Sequence, residues 1–126
     1  MTEYPVLLTI TGRQTYTGQE PDVIELVTEG TMTFRNGGWD ISYEESALTG
    51  MEGVTTTFRV EPGKLVLERT GKLVSTMVFE ENVSHDSLYQ MEFGALLLTV
   101  RAKRIFFDIL PDGGSVDLVY EICIEN

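Results

Sequence analysis

The residues that could do chemistry in this chain are mostly carboxylates, and their spacing gives them little to act with. Glu44-Glu45 and Glu80-Glu81 are adjacent pairs. Neighbours on a strand point to opposite faces, so neither pair converges across a cleft as a general acid and base must. His85 is the single histidine and stands in the polar stretch from Asn82 to Ser87, read as a loop. Asp86 beside it is a neighbour in sequence alone, which does not make a positioned base. One histidine and one cysteine, Cys123, form no metal-ligand set. They also exclude an internal disulfide. Glu121 and Glu125 surround the thiol with the wrong charge for reactivity. Thr49-Gly50-Met51-Glu52-Gly53 has phosphate-loop spacing, but it leads into a threonine-rich strand and carries an acid, so it reads as a turn. No catalytic residue, metal or cofactor is expected.

The polar residues of interest are instead those that alternation turns the wrong way. If Trp39, Ile41 and Tyr43 face the interior, Glu45 follows them inward, and Leu65 and Leu67 likewise carry Arg69 inward. A buried charge is costly unless partnered, so Glu45 and Arg69 are expected to meet. They act either as a salt bridge plugging one end of the fold or as the polar anchor of a ligand pocket ringed by Tyr43, Tyr89 and Tyr120.

The elements that would position these side chains are strands. Val116, Leu118, Tyr120, Ile122 and Ile124 alternate with Ser115, Asp117, Glu121 and Glu125, and Val54, Thr56, Phe58 and Val60 alternate with Thr55, Thr57, Arg59 and Glu61. Turn chemistry separates such runs. Asn36-Gly37-Gly38 and Asp112-Gly113-Gly114 signal tight hairpins, and Glu61-Pro62-Gly63-Lys64 suits a type II turn. About eight or nine short strands joined this way predict an all-β fold. Two long strands carry faults. Gly30 interrupts one, and near Arg104 the apolar parity of the other slips from Leu96, Leu98 and Val100 to Ile105, Phe107 and Ile109. Such bends and bulges let strands coil around a closed sheet, which favours a single closed antiparallel β-barrel over residues 1–126. Glu44 to Leu48 is the one stretch that could form a short helix or a capping turn.

The run Trp39-Asp40-Ile41-Ser42-Tyr43-Glu44-Glu45, followed by Thr49-Gly50-Met51-Glu52-Gly53 and Val54-Thr55-Thr56-Thr57-Phe58, resembles the central motif of a bacterial family. That family comprises uncharacterised calycin-like (lipocalin-like) β-barrel proteins of the YwiB type. Arg69-Thr70-Gly71, Met77-Val78-Phe79, Tyr89-Gln90-Met91-Glu92-Phe93-Gly94 and Gly114-Ser115-Val116-Asp117-Leu118-Val119-Tyr120 continue it in order. The resemblance implies one antiparallel calycin-like barrel and no particular activity, because fold likeness does not transfer ligand binding.

Composition narrows the function classes. Twenty acids against nine bases give a net charge of −11, which repels phosphate backbones and anionic membrane surfaces. The only basic cluster, Arg101, Lys103 and Arg104, reads as the solvent face of a strand. Neither nucleic acid nor membrane is an expected partner. The N-terminal Met1-Thr2-Glu3-Tyr4-Pro5 lacks the charge pattern of a secretion signal, and the expected location is the cytoplasm. Three readings stay open: a non-enzymatic barrel binding a small apolar or amphipathic ligand, a packed barrel acting as a homo-oligomeric interaction module, and, less well supported, an enzyme. The second is motivated by outward apolar residues, among them Leu7, Val23, Val27, Val66, Val74, Leu97 and Val119.

Overall fold

Alternation of apolar and polar side chains carries through almost the whole chain, and the computed structural model resolves it into strands. It describes residues 2–15, 20–91 and 94–125, with the side chains of 89–91 and 125 excepted. Nine strands run in order: β1 (Glu3–Gln14), β2 (Asp22–Arg35), β3 (Gly38–Glu44), β4 (Val54–Glu61), β5 (Lys64–Gly71), β6 (Ser75–Glu80), β7 (Ser84–Met91), β8 (Gly94–Leu110) and β9 (Gly113–Glu125). Every ladder is antiparallel. The one helical piece among the described residues is a single 3-10 turn, Ala47–Thr49, capped by the Ser46 hydroxyl and ended by Gly50 in the left-handed region. The stretch from Glu44 to Leu48 thus resolves as a capping turn.

The hydrogen bonds divide the strands into two sheets, β1-β2-β3-β4-β5-β6 and β7-β8-β9. This corrects the expectation of one closed ring. At the β6–β7 corner Asn82 takes a positive φ of 61° and donates its N–H to Ala102 O at 2.9 Å, while Glu81 donates to Gly63 O at 3.0 Å. The chain is therefore pulled across to β8, and no ladder joins β6 to β7 among the described residues: the isolated Glu80–Val83 bridge, the Ser87 Oγ–Thr76 O hydrogen bond at 2.7 Å and the His85–Glu80 contact hold that corner. No ladder joins β1 to β9 among the described residues.

Both sheets nevertheless face one core. Val60, Leu65, Met77 and Phe79 from β4–β6 pack with Leu98, Val100, Ala102 and Ile105 from β8. Removing such a set from water is the main drive for folding. The parity slip of β8 is a bulge between Ala102 and Arg104, and it keeps Ala102 and Ile105 both buried. Gly30 is required where β2 crosses β3. A Cβ there would meet the carbonyl oxygen of Ser42, and would lie 2.8 Å from Leu8 Cδ1.

The hairpins divide likewise. Arg35 pairs with Gly38 around Asn36 and Gly37, both at positive φ, as a primed turn demands. Glu61 pairs with Lys64 around Pro62-Gly63. The last turn sits earlier than expected. Leu110 pairs with Gly113, so Pro111-Asp112 makes the corner and both glycines belong to β9. Proline presets the first central position of a turn, which moves the corner back to Pro111.

Candidate ligand-binding site

Register places one polar row across the inner face of the larger sheet. Tyr43 pairs with Thr56, Thr56 with Arg69, and Arg69 with Ser75. Glu45 extends the β3 face one step further, and its backbone N–H still bonds Val54 O at 2.9 Å. Alternation therefore does bring Tyr43, Glu45 and Arg69 to one end of the interior, as the sequence suggested.

Glu45 and Arg69 do not form the expected ion pair: no contact within 4.0 Å joins them among the described residues. Glu45 is buried, at 7% exposed, and its carboxylate is satisfied locally. Thr56 Oγ1 donates to Oε2 at 2.6 Å and Thr49 Oγ1 donates to Oε1 at 3.0 Å. The turn that follows β3 thus folds back to hold the acid that ends it. Tyr43 completes the group. Burial, then the charge of Glu45 and a hydrogen bond to it, push the phenol pKa up to about 12, against a smaller opposing pull from Arg69 and Thr56.

Arg69 and Ser75 are left differently. Arg69 Nε and Ser75 Oγ are both buried with no hydrogen-bond partner. Ser75 was not singled out from the sequence, yet it shares the parity of Met77 and Phe79 and could have been found by the alternation that found Arg69.

Beside this row lies a cavity of about 500 Å³. Its wall includes Ile41, Phe58, Leu67 and Phe79 from the larger sheet and Val116, Leu118 and Tyr120 from β9, with residues of β1 from Val6 to Arg13 along one side. It occupies the space where β1 and β9 fail to pair. That explains why the inner residues Val6, Leu8 and Ile10 of β1 stay only half-buried. Tyr120 lines it and meets the Phe79 ring edge-on at 5.0 Å. The five sequence candidates thus separate: Tyr120 is in the cavity wall, Tyr43 and Arg69 stand one row beyond it, and Glu45 stands a further row out. Tyr89 pairs with Leu96 through its backbone, and its side chain lies outside the described residues.

The remaining candidates fall where chemistry is least served. The Asn82–Ser87 stretch is a strand from Ser84 onward rather than a loop, because its residues pair with β8. His85 bonds Glu80 at 3.0 Å at the sheet junction. Cys123 is exposed. Arg101, Lys103 and Arg104 are exposed on β8, with Lys103 paired to Glu121 at 2.8 Å. No cluster suited to a metal ion occurs among the described residues, and none of their helices is long and apolar enough to cross a membrane.

Antiparallel ladders only, two sheets around one core and a cavity open at the β1–β9 gap define an all-β protein of barrel-like build. The profile of the family described as "Domain of unknown function (DUF1934)" matches residues 8–126, and the chain belongs to that family. It is 28% identical over 101 residues to the uncharacterized beta-barrel protein YwiB of Bacillus subtilis (strain 168), covering 80% of this chain and 70% of YwiB. The crystal structure of the ywiB protein from Bacillus subtilis superposes with a TM-score of 0.86 at 26% identity, over 96% of this chain and 83% of that one. The resemblance to the YwiB-type family read from the sequence is therefore correct.

Proposed function

We propose that this chain is a non-enzymatic, calycin-like binding protein, its two sheets forming a barrel open along the β1–β9 side and accepting a small, largely apolar molecule. The observation that carries the reading is the cavity of about 500 Å³. That is within the range of about 300–1,000 Å³ over which proteins hold small molecules. The largely apolar lining, from Ile41, Phe58 and Leu67 to Val116 and Leu118, suits an apolar guest. Displacement of a neutral fluorescent probe such as N-phenyl-1-naphthylamine tests it. Leu118→Trp, which fills the cavity from β9, should weaken probe binding at least tenfold, whereas equal binding by both proteins would defeat the reading. A cytoplasmic location agrees with the sequence reading.

A second reading has its own observation. Leu7 is 71% and Val27 is 56% exposed on β1 and β2, with Val23 and Val119 also open. Apolar surface of this kind suits self-association, most simply two-fold.

A further inference from the structure

We propose that Arg69 and Ser75 form a seat for a carboxylate, so that the molecule held in the interior is an amphipathic monocarboxylic acid. This rests on the reading of the interior as a binding cavity and names the chemistry of its ligand.

The argument starts from two donors with nothing to donate to. A guanidinium stays charged throughout the accessible pH range, and a buried donor left unsatisfied is destabilising. Arg69 Nε and Ser75 Oγ are in that position together. Ser75 is 6% exposed, and the two residues are direct cross-strand partners, which sets their Cβ atoms about 5 Å apart on one face. The nearby carboxylate does not serve them. Glu45 accepts from Thr56 and Thr49, and Arg69 has no acid within 4.0 Å. The edge of a guanidinium matches the two oxygens of a carboxylate, and a hydroxyl alongside adds a third donor.

Position and charge agree with that ligand. Arg69 lies two residues beyond Leu67 on the same face of β5, and Leu67 lines the cavity. The seat is therefore about 7 Å from the cavity wall, one pleat repeat along the strand. Although the chain holds 20 acids, none of them lines the cavity among the described residues, and the one charged residue that does is Arg13. A molecule with an apolar body and one anionic head meets no repulsion from that wall. Glu45 beyond the seat disfavours a dianion, so a single carboxylate fits better than a phosphate monoester.

The test compares decanoate with 1-decanol as competitors for the bound naphthylamine probe at about pH 8, where decanoate is ionised. The native chain should bind decanoate at least tenfold more tightly than decanol. Arg69→Gln should bring decanoate down to the level of decanol, and Ser75→Ala should remove part of the preference. Should Arg69→Gln fail to fold by circular dichroism, Arg69→Lys keeps the charge without the planar fork and should also lose most of the preference. Equal affinity of the native chain for both competitors overturns the seat while leaving the binding cavity standing. Loss of preference in Arg13→Gln and not in the Arg69 variants also overturns it, moving the head to the cavity mouth. Displacement of the probe by neither compound overturns the seat, and failure of the probe itself to bind overturns the cavity reading as well.

Discussion

Thr56 is wholly enclosed and gives its one hydroxyl proton to Glu45 at 2.6 Å. Valine has nearly the same shape and no proton to give, so Thr56→Val leaves a buried carboxylate one donor short. Hydrogen bonds to charged groups contribute about 1.5–3 kcal/mol, and the variant should lose that much in urea unfolding; a change below about 0.5 kcal/mol would mean that Glu45 is held by other contacts. Tyr43 carries a pH signature of the same cluster. Its folded-state pKa is raised to about 12 from an ordinary value of 10.0. A group raised in the folded state favours folding in its protonated form. That contribution is full below pH 10 and is lost as pH rises from there through about 12. Stability should therefore fall across that window, and Tyr43→Phe should lessen the fall. An absorbance titration should show a phenolate component appearing near pH 12 in the native chain and not in the variant. At this scale the sequence was informative about direction and silent about partners. Alternation turned Glu45 and Arg69 inward, but what each would bond depended on where the Ala47–Thr49 turn delivered Thr49 and on Thr56 standing between them in register. Neither follows from periodicity.

Among the strands, two glycines separate the conformational from the steric role of that residue. Gly12 in β1 has open space where a Cβ would go, whereas Gly30 in β2 faces the Ser42 carbonyl oxygen and the Leu8 side chain. Gly30→Ala forces overpacking at the crossing and should cost about 1–3 kcal/mol. Gly12→Ala should stay within about 0.5 kcal/mol of the native chain, as surface changes usually do. Similar costs at both positions would show that β2 does not need its close approach to β3. The β8 bulge has an equally local support. Glu81 Oε1 accepts from Ile105 N at 3.3 Å, just past the register shift. The fault at Gly30 and the slip at Arg104 were both legible, since each breaks a pattern written along a single strand. The way the sheet edges meet was not. Closure depends on whether β1 pairs with β9, from opposite ends of the chain, and whether the consecutive strands β6 and β7 form a ladder, and strands that do or do not pair can carry the same alternation. The Asn82 corner, which draws the chain toward Ala102, left no periodic trace.

For the molecule as a whole, the surface sets two forces against each other. A net charge of −11 makes copies repel, while Leu7 and Val27 present apolar side chains on the outside of β1 and β2. Salt weakens the first and not the second. The screening length shrinks from about 30 Å at 0.01 M salt to about 3 Å at 1 M, while burial of apolar surface is not screened. If copies associate through this face, sedimentation at high micromolar concentration should move from monomer toward dimer as salt rises over that range. An interface built on ion pairs would shift the opposite way. Val27→Lys places a charge in the contact without reaching the cavity, because Val27 is not part of its wall. It should hold the protein monomeric at every salt concentration and leave probe binding unchanged. A native chain that stays monomeric at the highest salt would remove self-association through β1 and β2 and leave the interior as the sole basis for function.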